Sequence, residues 1–193
     1  TNAIASEMDT KAASVTDMLK RLSEKNLIDY EKYRGVSLTH DGAKLAKNLV
    51  RKHRLWEVFL VEKLGFNWDE VHEIAEQLEH IKSPLLIKKL DKFLDHPKYD
   101  PHGDPIPDEE GNIHYASEVK LIDLDNGQKG VVVGVIDSSS SFLQYLDKVG
   151  LVLGTTVEIL EKFEYDNSRR IRLGGNSELM ISELVGNNLY VKT

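Results

Sequence analysis

The residues best placed to do chemistry are histidines and acids at helical spacing. His53 and Glu57 are four residues apart, and so are His72, Glu76 and His80, with Glu79 three residues after Glu76. Positions i and i+4 share one face of an α-helix. Two helices could therefore aim at least two imidazoles and three carboxylates into one space. Such a set, without sulfur, suits manganese(II), iron(II) or zinc and disfavours copper(I). Any one of these pairs is also what a solvated helix face with ordinary i,i+4 support looks like; their coincidence on two helices favours ligands. The chain has no cysteine, which excludes disulfides, thiolate catalysis, iron–sulfur clusters and Cys-based zinc sites.

Enzymatic versions of this ligand set fail on spacing. His72-Glu73-Ile74-Ala75 begins like a zincin's His-Glu-x-x-His, but Glu76 occupies the place of the second imidazole. A ferritin-like Glu-x-x-His ending at His80 would need a glutamate where Gln77 stands. There is no G-x-S-x-G, no Walker loop and no dinucleotide fingerprint, and Gly174-Gly175 reads as a turn. The chain is not expected to be an enzyme or to take a small organic substrate.

The elements that must position these residues follow from charge and periodicity. The 193 residues are 40% hydrophobic and 30% charged, an ordinary globular composition that could form one large or two to three small domains. The net charge of -7 is divided unequally. Residues 1–54 carry 11 Lys/Arg against 7 Asp/Glu, while residues 55–193 carry 14 against 25. Only the first segment is suited to phosphates. It reads as a short helix over residues 2–8, a turn at Asp9-Thr10, and a second helix from Lys11 to about Lys25 with Val15, Met18, Leu19 and Leu22 as its buried stripe. Leu27 to Tyr30 and Val36 to Thr39 form a hairpin around Lys32-Tyr33-Arg34-Gly35, and a further helix starts near Ala43. That order is a winged helix-turn-helix. Lys11, Ala12, Ser14, Thr16 and Asp17 would face base edges from the recognition helix, and Lys20, Arg21, Lys32 and Arg34 would meet phosphates. A small α+β module that binds protein shares this topology.

Beyond the hairpin, helices are expected from Ala43 to about Glu62, Trp68 to His80, and Pro84 to about Asp95. His96 to Pro107 holds four of the five prolines and must be a loop or linker. Short strands follow at Val119 to Leu124, Gly130 to Ile136, Thr156 to Lys162, Arg169 to Leu173 and Leu189 to Lys192, with one helix around Ser141 to Val149. The expected fold is multidomain α+β: a winged helix-turn-helix over 1–50, a helical metal-binding and dimerisation domain over 51–117, and a small SH3-like β-barrel over 118–193. No apolar run approaches the ~20 residues of a spanning helix, and Thr1 to Glu7 has no signal-peptide character. A cytoplasmic protein with no membrane partner is expected. The missing initiator Met suggests a processed or truncated chain.

These residues resemble the diphtheria toxin repressor and manganese transport regulator family of metal-dependent transcriptional repressors, over the whole chain. The likeness is carried by Leu27 to Thr39 as the wing, Arg51-Lys52-His53-Arg54-Leu55 as the linker helix, and Glu76-Gln77-Leu78-Glu79-His80 as the metal helix. The Pro101-His102-Gly103-Asp104-Pro105-Ile106-Pro107 loop and a FeoA-like barrel from about residue 119 complete it. The resemblance implies a homodimer that binds divalent metal as corepressor and then double-stranded operator DNA, to regulate metal-uptake genes. It implies metal ligands at His53, Glu76, Glu79 and His80, and a second site at Glu57, Asp100, His102 and Asp137. His72 matches an ancillary ligand of iron-type members, and Ser138 and Ser141 stand where those members supply Glu and Gln. Glu76 favours manganese(II), because iron-responsive members carry cysteine there; iron(II) or another divalent transition metal is the alternative. Family members also begin with an extra helix that donates an Asp or Met ligand, so the primary site is expected to be incomplete in this chain.

Candidate dimer contacts are Trp56, Phe59, Leu60, Leu85, Leu86 and Phe93, which could equally fill the protomer core. The competing classes are a metal-storage protein without operator specificity and a metal-dependent hydrolase, for which no sequence feature speaks.

Overall fold

The computed structural model describes residues 1–31, 35–115 and 117–193. Helices α1 (Asn2–Glu7) and α2 (Ala12–Glu24) are joined by a turn and followed by the antiparallel hairpin β1 (Ile28–Glu31) and β2 (Gly35–Leu38). Ala5, Val15, Leu19 and Ile28 form a small core, with Ile4, Leu22 and Tyr30 packed around it. This is a winged helix-turn-helix. The expected phosphate contacts Lys32 and Arg34 lie outside the described residues.

Helix α3 (His40–Leu64) is the longest element, 25 residues, or about 37 Å at 1.5 Å per residue. It begins three residues before Ala43 because Thr39 caps it. The Thr39 hydroxyl accepts from the Gly42 N–H at 3.0 Å and donates to the Asn26 carbonyl at 2.8 Å, tying the helix start to the end of α2. Gly42 is small by necessity, since a Cβ there would stand 1.8 Å from the Leu27 carbonyl oxygen. At the far end Gly65 takes the left-handed conformation that closes many helices.

Helices α4 (Val71–Glu79) and α5 (Pro84–Phe93) pack with α3 around Leu55, Trp56, Val58, Leu60, Val71, Ala75, Ile87, Leu90, Leu94 and Ile106. α4 starts at Val71 rather than Trp68. Asn67 to Glu70 form a turn instead, in which Glu70 N–H donates to the Asn67 carbonyl and the Asn67 N–H to the Glu70 carboxylate. Trp56 and Leu60, considered for a dimer contact, are buried in this chain's own core, whereas Leu85 and Phe93 are exposed.

The last third is a six-stranded antiparallel sheet in the order β3 (Val119–Lys120), β8 (Leu189–Lys192), β4 (Lys129–Val135), β5 (Thr156–Lys162), β6 (Arg169–Leu173), β7 (Glu178–Ile181). Bulges at Val132/Gly134 and Ile159/Glu161 help it curl into an SH3-like barrel. Helices α6 (Ser140–Val149) and α7 (Glu183–Asn187) flank it, over a third core that includes Leu121, Val132, Leu146, Ile159 and Ile171. Only Val119–Lys120 of the expected first strand pairs; Leu121–Asp123 turns into a 3-10 helix that buries Leu121. β7 and α7 escaped the sequence reading because four and five residues are too few for a period to register.

The proline-rich loop is a structured bridge between helices and barrel. Two arginines on α3 hold it. Arg51, paired with Asp91 at 3.1 Å, donates to the Pro107 carbonyl at 2.6 Å. Arg54 reaches Asp100 at 3.4 Å, Asp104 at 3.1 Å and the Pro105 carbonyl. On the opposite side the His102 carbonyl accepts from Val135 N–H of β4 at 2.9 Å.

Candidate metal centre

One turn of α3 separates His53 from Glu57, and this local geometry seeds the site. Glu57 is 2% exposed, and its two oxygens face different partners. Oε1 lies 3.0 Å from His53 Nε2 and 3.5 Å from His72 Nδ1 of α4; Oε2 lies 3.7 Å from His102 Nδ1 of the loop. His53 Nδ1 in turn is 2.8 Å from Glu79 Oε2, and its Nε2 is 3.2 Å from His72 Nδ1. Asp100 is also buried, and its Oδ1 accepts from the His102 and Asp104 N–H groups.

Two three-residue sets, His53–Glu57–His72 and Glu57–Asp100–His102, each bring their donor atoms within 4.8 Å of one another and share Glu57. Nitrogen and oxygen ligands about 2.0–2.2 Å from one cation stand about 3 Å apart at right angles, and the contacts around Glu57, 3.0, 3.5 and 3.7 Å, are near that spacing. The donors are imidazole and carboxylate only, which suits a first-row divalent cation of intermediate hardness.

Of the sequence-derived ligands, the structure thus brings together His53, Glu57, His72, Glu79, Asp100 and His102. Glu76 and His80 lie on the exposed side of α4, because the helix buries Val71, Ala75 and Glu79 instead. Asp137 is exposed at the start of the turn before α6, where it accepts from the Ser139 N–H at 2.9 Å. Among the described residues none of these three joins a group of three potential ligands. Sequence reasoning missed the roles of buried Arg51 and half-buried Arg54, which fasten the loop that holds Asp100 and His102; their sole signal was a basic run on a helix that is otherwise amphipathic.

The protonation pattern anticipates a cation. Burial opposes charge on His53 and His102, but Glu57, joined by Glu79 at His53 and by the Trp68 carbonyl and Asp100 at His102, outweighs it, so both imidazoles stay above the ordinary value of 6.5. Burial would raise Glu57, yet His102 at 3.7 Å and the hydrogen-bonded His53 pull it down to about 2. Burial, then Glu57 and Asp104, push Asp100 up to about 7.

The signs follow by linkage. A raised imidazole contributes stability below pH 6.5 that is lost as pH rises through the folded value. Asp100 holds a proton in the folded chain between its free value of 3.8 and about 7, a contribution likewise lost as pH rises. Glu57 acts oppositely, but its contribution falls away only in acid, between 4.5 and about 2. The metal-free chain should consequently melt at a lower temperature at about pH 8 than at about pH 6, while divalent metal should bind more tightly with rising pH and release protons. Calorimetry at about pH 6.5 in buffers of different ionisation enthalpy measures that release; affinity independent of pH would count against it.

On the winged domain, α2 presents Lys11, Ala12, Ser14, Asp17, Lys20 and Arg21 outward, with Lys11 at the N-cap and Lys20 3.8 Å from Asp17. Thr16 is half-buried and its hydroxyl donates back to the Ala12 carbonyl at 2.9 Å.

Comparison with known proteins bears on both surfaces. Residues 1–36 match the iron dependent repressor N-terminal DNA binding domain, residues 39–108 the iron dependent repressor metal binding and dimerisation domain, and residues 119–193 the FeoA domain. The iron-dependent repressor IdeR of Mycobacterium tuberculosis is 34% identical over 137 residues, covering 67% of this chain and 60% of its own, so the chain spans less than two thirds of that relative. The regulator MntR of Oceanobacillus iheyensis is 37% identical over 99 residues, covering 51% of this chain and 67% of its own. A solved manganese-dependent transcriptional repressor in complex with manganese superposes with a TM-score of 0.90 at 30% identity, covering 99% of this chain and 89% of the other.

Proposed function

The chain belongs to the iron-dependent repressor family of metal-dependent transcriptional regulators, and from that premise we propose that it is a cytoplasmic repressor with manganese(II) as corepressor and double-stranded operator DNA as target. The observation that carries the reading is α3. One continuous helix is anchored at its start to the winged domain and carries His53 and Glu57 in its middle. The bound cation would supply a point of convergence for the carboxylates and imidazoles that the metal-free chain holds with protons.

The chain's own residues do the rest. Glu57 faces both imidazole sets, Asp100 and His102 bring the loop, and His72 and Glu79 bring α4. Drawing these together fixes α3 against α4 and the loop, and thereby the direction in which α2 presents its outward face. A second copy, docked through exposed Leu85, Leu86 and Phe93, would place two recognition helices on successive major-groove half-sites. Lys11, Lys20 and Arg21 serve phosphates, and Ala12, Ser14, Thr16 and Asp17 face bases. Glu76, His80 and Asp137 remain candidate ligands of further metal positions. Manganese is preferred to iron(II) because no thiolate is present and the carboxylates are hard donors.

Duplexes selected from a random-sequence pool in the presence of manganese(II) test this. Coupling of 1–3 kcal/mol implies that manganese tightens the selected duplex by about 5–150-fold, with steep salt dependence that Lys20→Ala and Arg21→Ala reduce. A storage protein would bind manganese and give no enriched sequence; that outcome, or equal affinity with and without metal, overturns the proposal. Parallel titration with iron(II) under anaerobic conditions distinguishes the two metals.

A further inference from the structure

We propose that Trp68 is a positioning residue for the Glu57–Asp100–His102 site, and that the barrel, through α6, holds Trp68 in place. The inference rests on the reading that these three side chains bind a divalent cation.

Trp68 lies in the turn before α4, and the barrel grips that turn. Ser140, Gln144 and Asp147 follow at spacings of four and three on α6, one face of the helix. All three touch the turn. The Ser140 hydroxyl donates to the Asp69 carbonyl at 2.9 Å, the Gln144 amide to the Asp69 carboxylate at 2.8 Å, and the Trp68 indole N–H to Asp147 Oδ2 at 3.0 Å. The indole also packs against the barrel core.

Its other side faces the metal centre. The Trp68 carbonyl accepts from His102 Nε2 at 2.8 Å, and the two rings stack at 6.2 Å with 16° between their planes. An imidazole whose Nε2 carries the proton keeps its lone pair on Nδ1, the atom that points towards Glu57. Trp68 thus selects both the tautomer and the ring orientation in which His102 can ligate. Partners of this kind typically change metal affinity by 10–100-fold. Asp147 is exposed and its hydrogen bond from the Trp68 indole is the route by which it would influence His102.

Manganese(II) titration of the full chain, with free manganese counted by paramagnetic resonance, tests this alongside tryptophan fluorescence. Trp56 and Trp68 are the two tryptophans. The fluorescence response to manganese should survive in Trp56→Phe and vanish in Trp68→Phe. Asp147→Leu should weaken one manganese site by about 10–100-fold at an unchanged number of sites, and Asp147→Asn, which keeps an acceptor for the indole, should restore it. In metal-free, nitrogen-15-labelled protein above the His102 pKa, the wild type should show one tautomer at His102, protonated on Nε2, and Asp147→Leu a mixture. Unchanged affinity in Asp147→Leu, or loss not rescued by Asp147→Asn, overturns the positioning role while leaving the metal site standing. Manganese binding that is indifferent to Glu57→Gln overturns the site and the positioning role together.

Discussion

Glu57→Gln is expected to reduce manganese(II) affinity by more than about 100-fold, beyond the usual effect of losing an outer-shell partner. Among the described residues Glu57 is the one side chain that belongs to both potential ligand groups, and it faces three imidazoles, at 3.0, 3.5 and 3.7 Å. The amide keeps the shape and removes the charge. In the metal-free chain that change also takes away the carboxylate charge that helps raise His53 and His102, so both imidazoles should titrate at lower pH, and proton release on metal binding should shrink. Calorimetric titration of wild type and variant reads both quantities. A variant binding within a few-fold of wild type would move the metal off Glu57 altogether.

Gly103→Ala should be strongly disruptive. Gly103 has φ +90°, and a Cβ there would stand 2.1 Å from the Val133 carbonyl oxygen and 2.4 Å from Gly134 Cα. Both atoms are backbone of β4 and cannot swing away as a side chain could. Left-handed strain of about 1–3 kcal/mol adds to the clash, and relief requires the loop to lift off the barrel. His102, the neighbouring residue, would lift with it and lose the bond that its carbonyl accepts from Val135 N–H. The expected loss is about 3 kcal/mol or more, or roughly 6–12 °C in melting temperature for a chain of this size, together with weaker manganese binding. Since helices and barrel have separate cores, calorimetry should show the single transition splitting or broadening. A variant with wild-type melting and wild-type metal affinity would show that loop and barrel are not mechanically joined.

Much of the fold was legible because it is set by neighbours in sequence. The stripe of Val15 and Leu19 placed α2, and strands β5, β6 and β8 came at their observed limits from alternation alone. His53 and Glu57 shared a face for the same reason: four residues along a helix is a fixed geometry. The same rule was less informative for α4. It grouped His72, Glu76 and His80 correctly as one stripe, but which stripe turns inward is decided by the apolar partners of α3, and these chose Val71, Ala75 and Glu79.

The amino-acid sequence by itself determined the donor chemistry, the helices that carry four of the six convergent donors, the division of charge between winged domain and remainder, and the likeness to metal-dependent repressors. Only the tertiary structure decided that Glu57 meets His102 across 45 residues of chain, that Asp100 is pushed up to about 7, that Arg51 and Arg54 clamp the loop, and that Trp68 stands between barrel and His102. The physical reason is range. Helix and strand spacings are fixed by backbone sterics over a few residues, whereas burial, pKa and ligand convergence depend on how separate elements pack, which no local period encodes.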